Sequence, residues 1–256
     1  MLRRSFLLCF LLVFAALAFA AEPLADPGLY DYTGDLDGKI LVGLTLRQRD
    51  AQKLTGSYFY KRYLKDIPLT GEFTAERDLV LRENDAQGKP AGTFTLHFAE
   101  KDPRHKRGGD APLTIDVLTG TWTSADGKKT LPVYLALAQI LPGAEEGHRY
   151  RVAGAADDAL IERNAQAFCR AVEKGDRQAV ASAVHYPLAY SLNGKRAKAA
   201  NEQEFLKNYD RIFSPKFVSR IRAAVPHNMF ARDQGIMLAD GAVWFDEKGK
   251  VFALNN

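Results

Sequence analysis

Leu54-Thr55-Gly56-Ser57-Tyr58, Leu69-Thr70-Gly71-Glu72-Phe73 and Leu118-Thr119-Gly120-Thr121-Trp122 repeat one phrase, and Ala91-Gly92-Thr93-Phe94 is a looser fourth copy. In a strand, residues i and i+2 share a face, so each glycine lies beside the ring of Tyr58, Phe73, Phe94 or Trp122. A glycine inside a strand marks a bend or a close approach, and a neighbouring aromatic covers the backbone it leaves bare. Repeating the device lets a sheet coil until it curls over its own core or closes into a barrel. The rings could instead form a ligand platform, but packing is the commoner use of large aromatics. The repeat is read as architecture.

The text around it agrees. Ile40, Val42, Leu44 and Leu46 alternate with Leu41, Gly43, Thr45 and Arg47, and Thr93, Thr95 and His97 alternate with Phe94, Leu96 and Phe98. Turn-rich pieces at Asp35-Leu36-Asp37-Gly38, Gln87-Gly88-Lys89 and Asp126-Gly127-Lys128 separate such runs, which predicts hairpins in an antiparallel meander over 27–137. A Gly/Pro/Ala-rich passage over 138–156 is the expected linker.

Beyond it the period becomes helical. Asp157 caps a helix whose stripe is Leu160, Ile161, Ala165, Phe168 and Val172, ending near Gly175. Asp176 caps a short second helix, which Tyr186-Pro187 breaks, and Leu188 to Leu192 alternates as a strand. Asn201-Glu202-Gln203-Glu204 has capping-box spacing, and Ser214-Pro215 starts a further helix. Gly235 to Leu238, Ala242 to Phe245 and Val251 to Leu254 are expected strands.

The first 20 residues form a separate unit. Arg3 and Arg4 precede an apolar run from Ser5 to Ala20, and Ala18-Phe19-Ala20 offers small residues for cleavage, the pattern of a secretory signal peptide. The expected location is periplasmic or secreted. The run is shorter than a usual membrane span, so no stable span is expected after cleavage. Cleavage removes Cys9, leaving Cys169 without a disulfide partner, and two arginines. The 35 Lys+Arg then become 33 against 31 Asp+Glu, and the net charge falls from +4 to +2. So weak a positive charge argues against nucleic acid as a partner.

The order helix, short helix, strand, two helices and strand meander resembles the nuclear-transport-factor-2-like superfamily, in particular its bacterial periplasmic members, over 157–256. The stretches that carry the likeness are Phe168-Cys169-Arg170-Ala171-Val172-Glu173-Lys174-Gly175-Asp176, Tyr186-Pro187-Leu188, Glu204-Phe205 with Tyr209-Asp210-Arg211-Ile212-Phe213, and Gly235-Ile236-Met237-Leu238 followed by Gly241-Ala242-Val243-Trp244-Phe245. The resemblance implies an α+β cone with a curved antiparallel sheet, and a homodimer through the open sheet face. The fold expected for the whole chain is therefore α+β: an all-β curled antiparallel sheet or barrel, then this cone. The superfamily hosts isomerases, dehydratases and catalytically silent binding domains, so fold alone does not choose an activity.

No catalytic set is legible. There is no G-x-S-x-G elbow. Cys169 falls near an apolar helix stripe, where a thiol behaves as a small hydrophobe, and nothing orients His185 towards it. His97, His105, His148, His185 and His227 show no i, i+2 or i, i+4 pair, so no metal site and no cofactor are expected. Asp35-Leu36-Asp37-Gly38 opens like a calcium loop but lacks the later ligands. Lys101, Arg104, Lys106 and Arg107 form a basic run that could attract a polyanion, though such runs are more often solvated loop tips. His185, Tyr190, Tyr209, His227 and Trp244 are the candidate lining of the cone. The leading reading is a non-catalytic envelope module that binds a small molecule or a protein. One alternative is an isomerase or hydrolase with His185 or His227 as proton carrier. Another is an inhibitor of an extracellular enzyme, such as lysozyme, acting through the β-domain.

Overall fold

The structure, a computed structural model, describes residues 24, 26–75, 77–105, 113–192 and 194–256. The expected signal peptide, Lys106 and Arg107 lie outside the described residues.

The first half is a closed barrel. Its strands are β1 (Gly28–Leu36), β2 (Ile40–Gln48), β3 (Lys53–Tyr60), β4 (Ile67–Phe73), β5 (Asp78–Asn84), β6 (Pro90–Phe98), β7 (Val117–Ser124) and β8 (Thr130–Pro142). Each pairs antiparallel with the next, and β8 returns to β1 to close the ring. The repeated glycines are where strands crowd. A Cβ on Gly56 would lie 2.0 Å from the Thr45 carbonyl oxygen, and one on Gly120 would lie 2.0 Å from that of Thr95. At Gly92 the intruder would be the Trp122 indole, 2.5 Å away. At Gly56 and Gly120 these are backbone approaches that a side chain forbids, which is how a sheet coils tightly enough to close.

The paired rings point inward with their glycines. Tyr58 and Phe94 meet edge to face at 5.2 Å and, with Tyr32, Phe98 and the leucines of alternate strand positions, fill the barrel. At one end Glu83 accepts hydrogen bonds from Tyr58 Oη (2.9 Å) and Trp122 Nε1 (3.2 Å). The interior is a packed core.

The second half contains α1 (Asp158–Lys174), α2 (Arg177–Ser182), β9 (Val184–Leu192), β10 (Lys195–Ala199), α3 (Glu202–Ile212), α4 (Pro215–Ala223), β11 (Phe230–Arg232), β12 (Gly235–Leu238), β13 (Val243–Phe245) and β14 (Val251–Asn255). The helix starts follow the sequence. Asp157, Asp176, Asn201 and Ser214 each accept a hydrogen bond from the third backbone N–H along, and Gly175 ends α1 in the left-handed conformation with φ 68°. Helix α1 lays Ile161, Ala165, Phe168 and Val172 on the core, with Phe168 edge-on to Phe245. Leu160, expected on that stripe, is 39% exposed, because it sits one residue off the Ile161 row.

Three expectations need correction. The C-terminal sheet is mixed: its order is β10-β9-β14-β13-β12-β11, and β14 runs parallel to β9. The chain crosses from β9 through α3 and α4 before returning, the long connection that a parallel pair requires. Strand β8 continues to Pro142, because Gln139 to Pro142 still pair with Gly28 to Asp31, so part of the glycine-rich passage is sheet. Strand β9 begins at Val184 and passes through Tyr186-Pro187, which does not interrupt it.

The two halves share apolar packing. Leu29 on β1 and Leu141 on β8 face out of the barrel and join Tyr150 and the C-terminal core in one cluster.

Candidate ligand cleft at the domain junction

Outward-facing positions on β1, β2 and β8 alternate with the barrel core, so Asp31, Thr45 and Gln139 project from the wall against the second half of the chain. Opposite them stands Arg149, in the connection that follows β8 and only 4% exposed. Its guanidinium grips Asp31 through both nitrogens, Nη1 to Oδ2 and Nη2 to Oδ1 (3.0 Å). Thr45 Oγ1 donates to Asp31 Oδ1 at 2.6 Å, and Gln139 Nε2 donates to Oδ2 at 2.7 Å. Burial depresses the Arg149 cation, but the Asp31 carboxylate more than reverses this and holds it above its ordinary value. A buried pair survives when its remaining hydrogen-bond sites are filled, as they are here; removing one partner of such a pair costs about 3–5 kcal/mol.

A second cluster lies alongside. His227, 7% exposed, is carried by the turn between α4 and β11. Its Nε2 is 3.1 Å from Asp66 Oδ1 on the barrel side, and its Nδ1 is 2.5 Å from Glu162 Oε2 on α1. The Nδ1 contact is not aligned as a hydrogen bond and acts through charge. Phe59 on β3 stands edge-on to the imidazole at 4.4 Å. Burial would lower the imidazolium pKa, but the two carboxylates outweigh it and raise it to about 9. His227 is therefore a cation at neutral pH. Glu162 Oε1 also accepts from Tyr150 Oη and from the Asn228 backbone N–H. Barrel, connection, helix and turn are thus tied by charged hydrogen bonds.

These ties frame a cleft of about 870 Å³ between the barrel wall and the C-terminal unit. From the barrel come Thr33, Gly43, Phe59, Lys61 and Ile140; from the other side come Val225, Phe230, Met237 and Leu238. Gly43 has a local reason. A Cβ there would fall 2.4 Å from the Phe59 ring, so the missing side chain lets that ring lie against the wall. A smaller cleft of about 390 Å³ lies behind Thr45 and Asn228, with Asp66, Glu146, Asp158 and Glu162 around it. Its carboxylates are engaged: Asp158 accepts from the Arg149 and Tyr150 backbone N–H groups, and Glu146 pairs with Arg49. Among the described residues no group of three His, Cys, Asp or Glu is placed to hold a metal ion.

No family model matches the chain, and neither a curated protein nor a solved structure matches it.

Of the five side chains expected to line a cone, His227 alone lines the larger cleft. Tyr190 and Tyr209 are buried in the C-terminal core, the latter stacked on Phe213 at 4.6 Å. Trp244 donates to the Gly241 carbonyl and packs near Phe252. His185 is on the surface with Nδ1 2.7 Å from Asp246, and Cys169, its thiol pushed up to about 12 by burial, packs against the core. In the basic run, Lys101 is exposed, while Arg104 forms a bidentate pair with Asp35 and covers the Tyr134 ring at 4.0 Å. Asp31, Thr45, Lys61, Asp66, Arg149 and Glu162 went unmarked in the sequence. Each looks like an ordinary solvated residue there, and the hydrogen bonds of Asp66 and Thr45 to the turn after α4 span 161 and 183 positions.

Proposed function

We propose that the protein is a binding protein of the cell envelope that takes a small molecule into the cleft between barrel and C-terminal unit. The carrying observation is the cleft: its volume falls in the range of small-molecule sites, about 300–1,000 Å³, and its walls set apolar side chains such as Phe59, Val225 and Phe230 beside polar and charged ones. The barrel does not compete for this role, since its inward side chains already fill it. The signal-peptide pattern supports an envelope location, and the likeness of 157–256 to a superfamily rich in binding domains accords with the reading. The charged ties between the halves hold the walls apart at a fixed spacing, so the site is formed before a ligand arrives.

The test uses the uncharged fluorescent probe N-phenyl-1-naphthylamine and the variant Ala138→Trp. Ala138 is an exposed residue on the cleft wall, so its replacement fills space without disturbing a core. The expected result is probe uptake by the wild type and little by the variant. Equal uptake by both proteins, or none by either, would contradict the proposal.

A further inference from the structure

We infer that the ligand of this cleft is an amphipathic organic anion, its acidic head paired with Lys61 and its hydrocarbon body laid along Phe59, Val225, Phe230 and Met237. The inference rests on the reading of the cleft as the ligand site and adds the chemical class.

Several charges around the cleft already have partners. Asp31 is neutralised by Arg149. His227 is held between Asp66 and Glu162. At the rim, Arg220 is exposed to solvent and donates to the Asp240 backbone carbonyl at 3.1 Å. Lys61 differs. It lines the cleft half-buried, and among the described residues its ammonium has neither a carboxylate within ion-pair distance nor a hydrogen-bond acceptor. Burial alone lowers its pKa, with no neighbouring anion to lift it back.

A cation drawn out of water without a partner is a cost to the folded protein, and an anion that enters beside it recovers that cost. A cationic ligand would face the same ammonium and be repelled. The remaining wall suits a hydrocarbon: the Phe59 ring lies close against Gly43, and the flexible thioether of Met237 adapts to irregular shapes. A half-buried ammonium without an ion partner beside apolar side chains is the complement of a carboxylate, sulfonate or sulfate carrying an aliphatic or aromatic body.

The experiment is isothermal titration of the full chain without its first 20 residues, using dodecanoate and dodecyltrimethylammonium below their micelle concentrations. Wild type, Lys61→Met and Lys61→Arg are compared, with circular dichroism confirming that each is folded. The expected outcome is that dodecanoate binds, dodecyltrimethylammonium does not, Lys61→Met weakens dodecanoate about tenfold or more, and Lys61→Arg retains it. If both amphiphiles bind alike and Lys61→Met changes nothing, the inference is overturned while the cleft remains a binding site. If neither dodecyl compound binds although N-phenyl-1-naphthylamine does, the head-group assignment is likewise overturned. If none of the three binds, the proposed function falls with it.

Discussion

At the scale of single residues, His227 carries the clearest consequence. It faces Asp66 from the barrel and Glu162 from α1, with Arg149 near enough to bear on Asp66. Its folded pKa is raised from 6.5 to about 9, so the folded state binds the proton more tightly than the unfolded chain. The stability this contributes is therefore complete below about pH 6.5 and is lost as pH rises through about 9. The shift corresponds to a contribution on the order of 3 kcal/mol. Urea unfolding at pH 6 and pH 9.5 measures it. The wild type should lose stability across that interval by roughly this amount more than His227→Gln, whose junction carries no titrating ring. Parallel pH curves for the two proteins would mean that the imidazole is not protonated between its carboxylates. Asp66 behaves in the opposite sense: burial would raise its pKa, but the His227 contact holds it below the usual carboxylate value, so its contribution disappears only in acid.

At the scale of elements, the glycine repeat makes the barrel close. The prediction concerns Gly120→Ala. The added Cβ would meet the Thr95 carbonyl oxygen at 2.0 Å, at a φ of 151° that L-residues rarely adopt. Neither β6 nor β7 can move without breaking its ladder, so the expected loss is about 3 kcal/mol or more, at the upper end of overpacking costs. Gly88→Ala is the control: it lies in a hairpin with φ 77° and open space around it, and should lose only about 1 kcal/mol. Equal, small losses in denaturant unfolding would show that the β6–β7 approach is not what the glycine serves. This element was legible because its signal is local: Gly and ring two residues apart must share a face. The helix caps were legible for the same reason. Strand β10, Lys-Arg-Ala-Lys-Ala, was not, since an edge strand carries charges and small residues in place of an apolar alternation. Strand β11 has three residues, too few to show a period. The parallel pairing of β14 with β9 was hidden because strand text does not reveal its neighbour's direction.

At the scale of the whole molecule, the site lies where the halves meet. The passage over 138–156 looked like a boundary by its glycines and proline, and it does join the two halves. It also carries Arg149 and Tyr150, both buried, so the connection is a strut between the units. Such a site is not written in any one stretch. Asp31 and Thr45 occupy the outward phase of their strands, where polar residues are expected anyway, and only tertiary structure places a guanidinium over them. His227 was singled out for a pocket in the C-terminal half, and its placement at the junction depends on a turn whose course no periodicity encodes. The clefts, too, exist because two curved surfaces meet at a few charged ties and leave space beside them.

The measurement that tests this account most directly is hydrogen–deuterium exchange of the full chain with and without saturating dodecanoate. Protection should rise around Phe59 to Lys61, Ala138 to Ile140 and Ala224 to Phe230, which face one another across the cleft. Protection confined to the barrel end around Glu83 and Trp122, or no change along the chain, would contradict a ligand site at the domain junction.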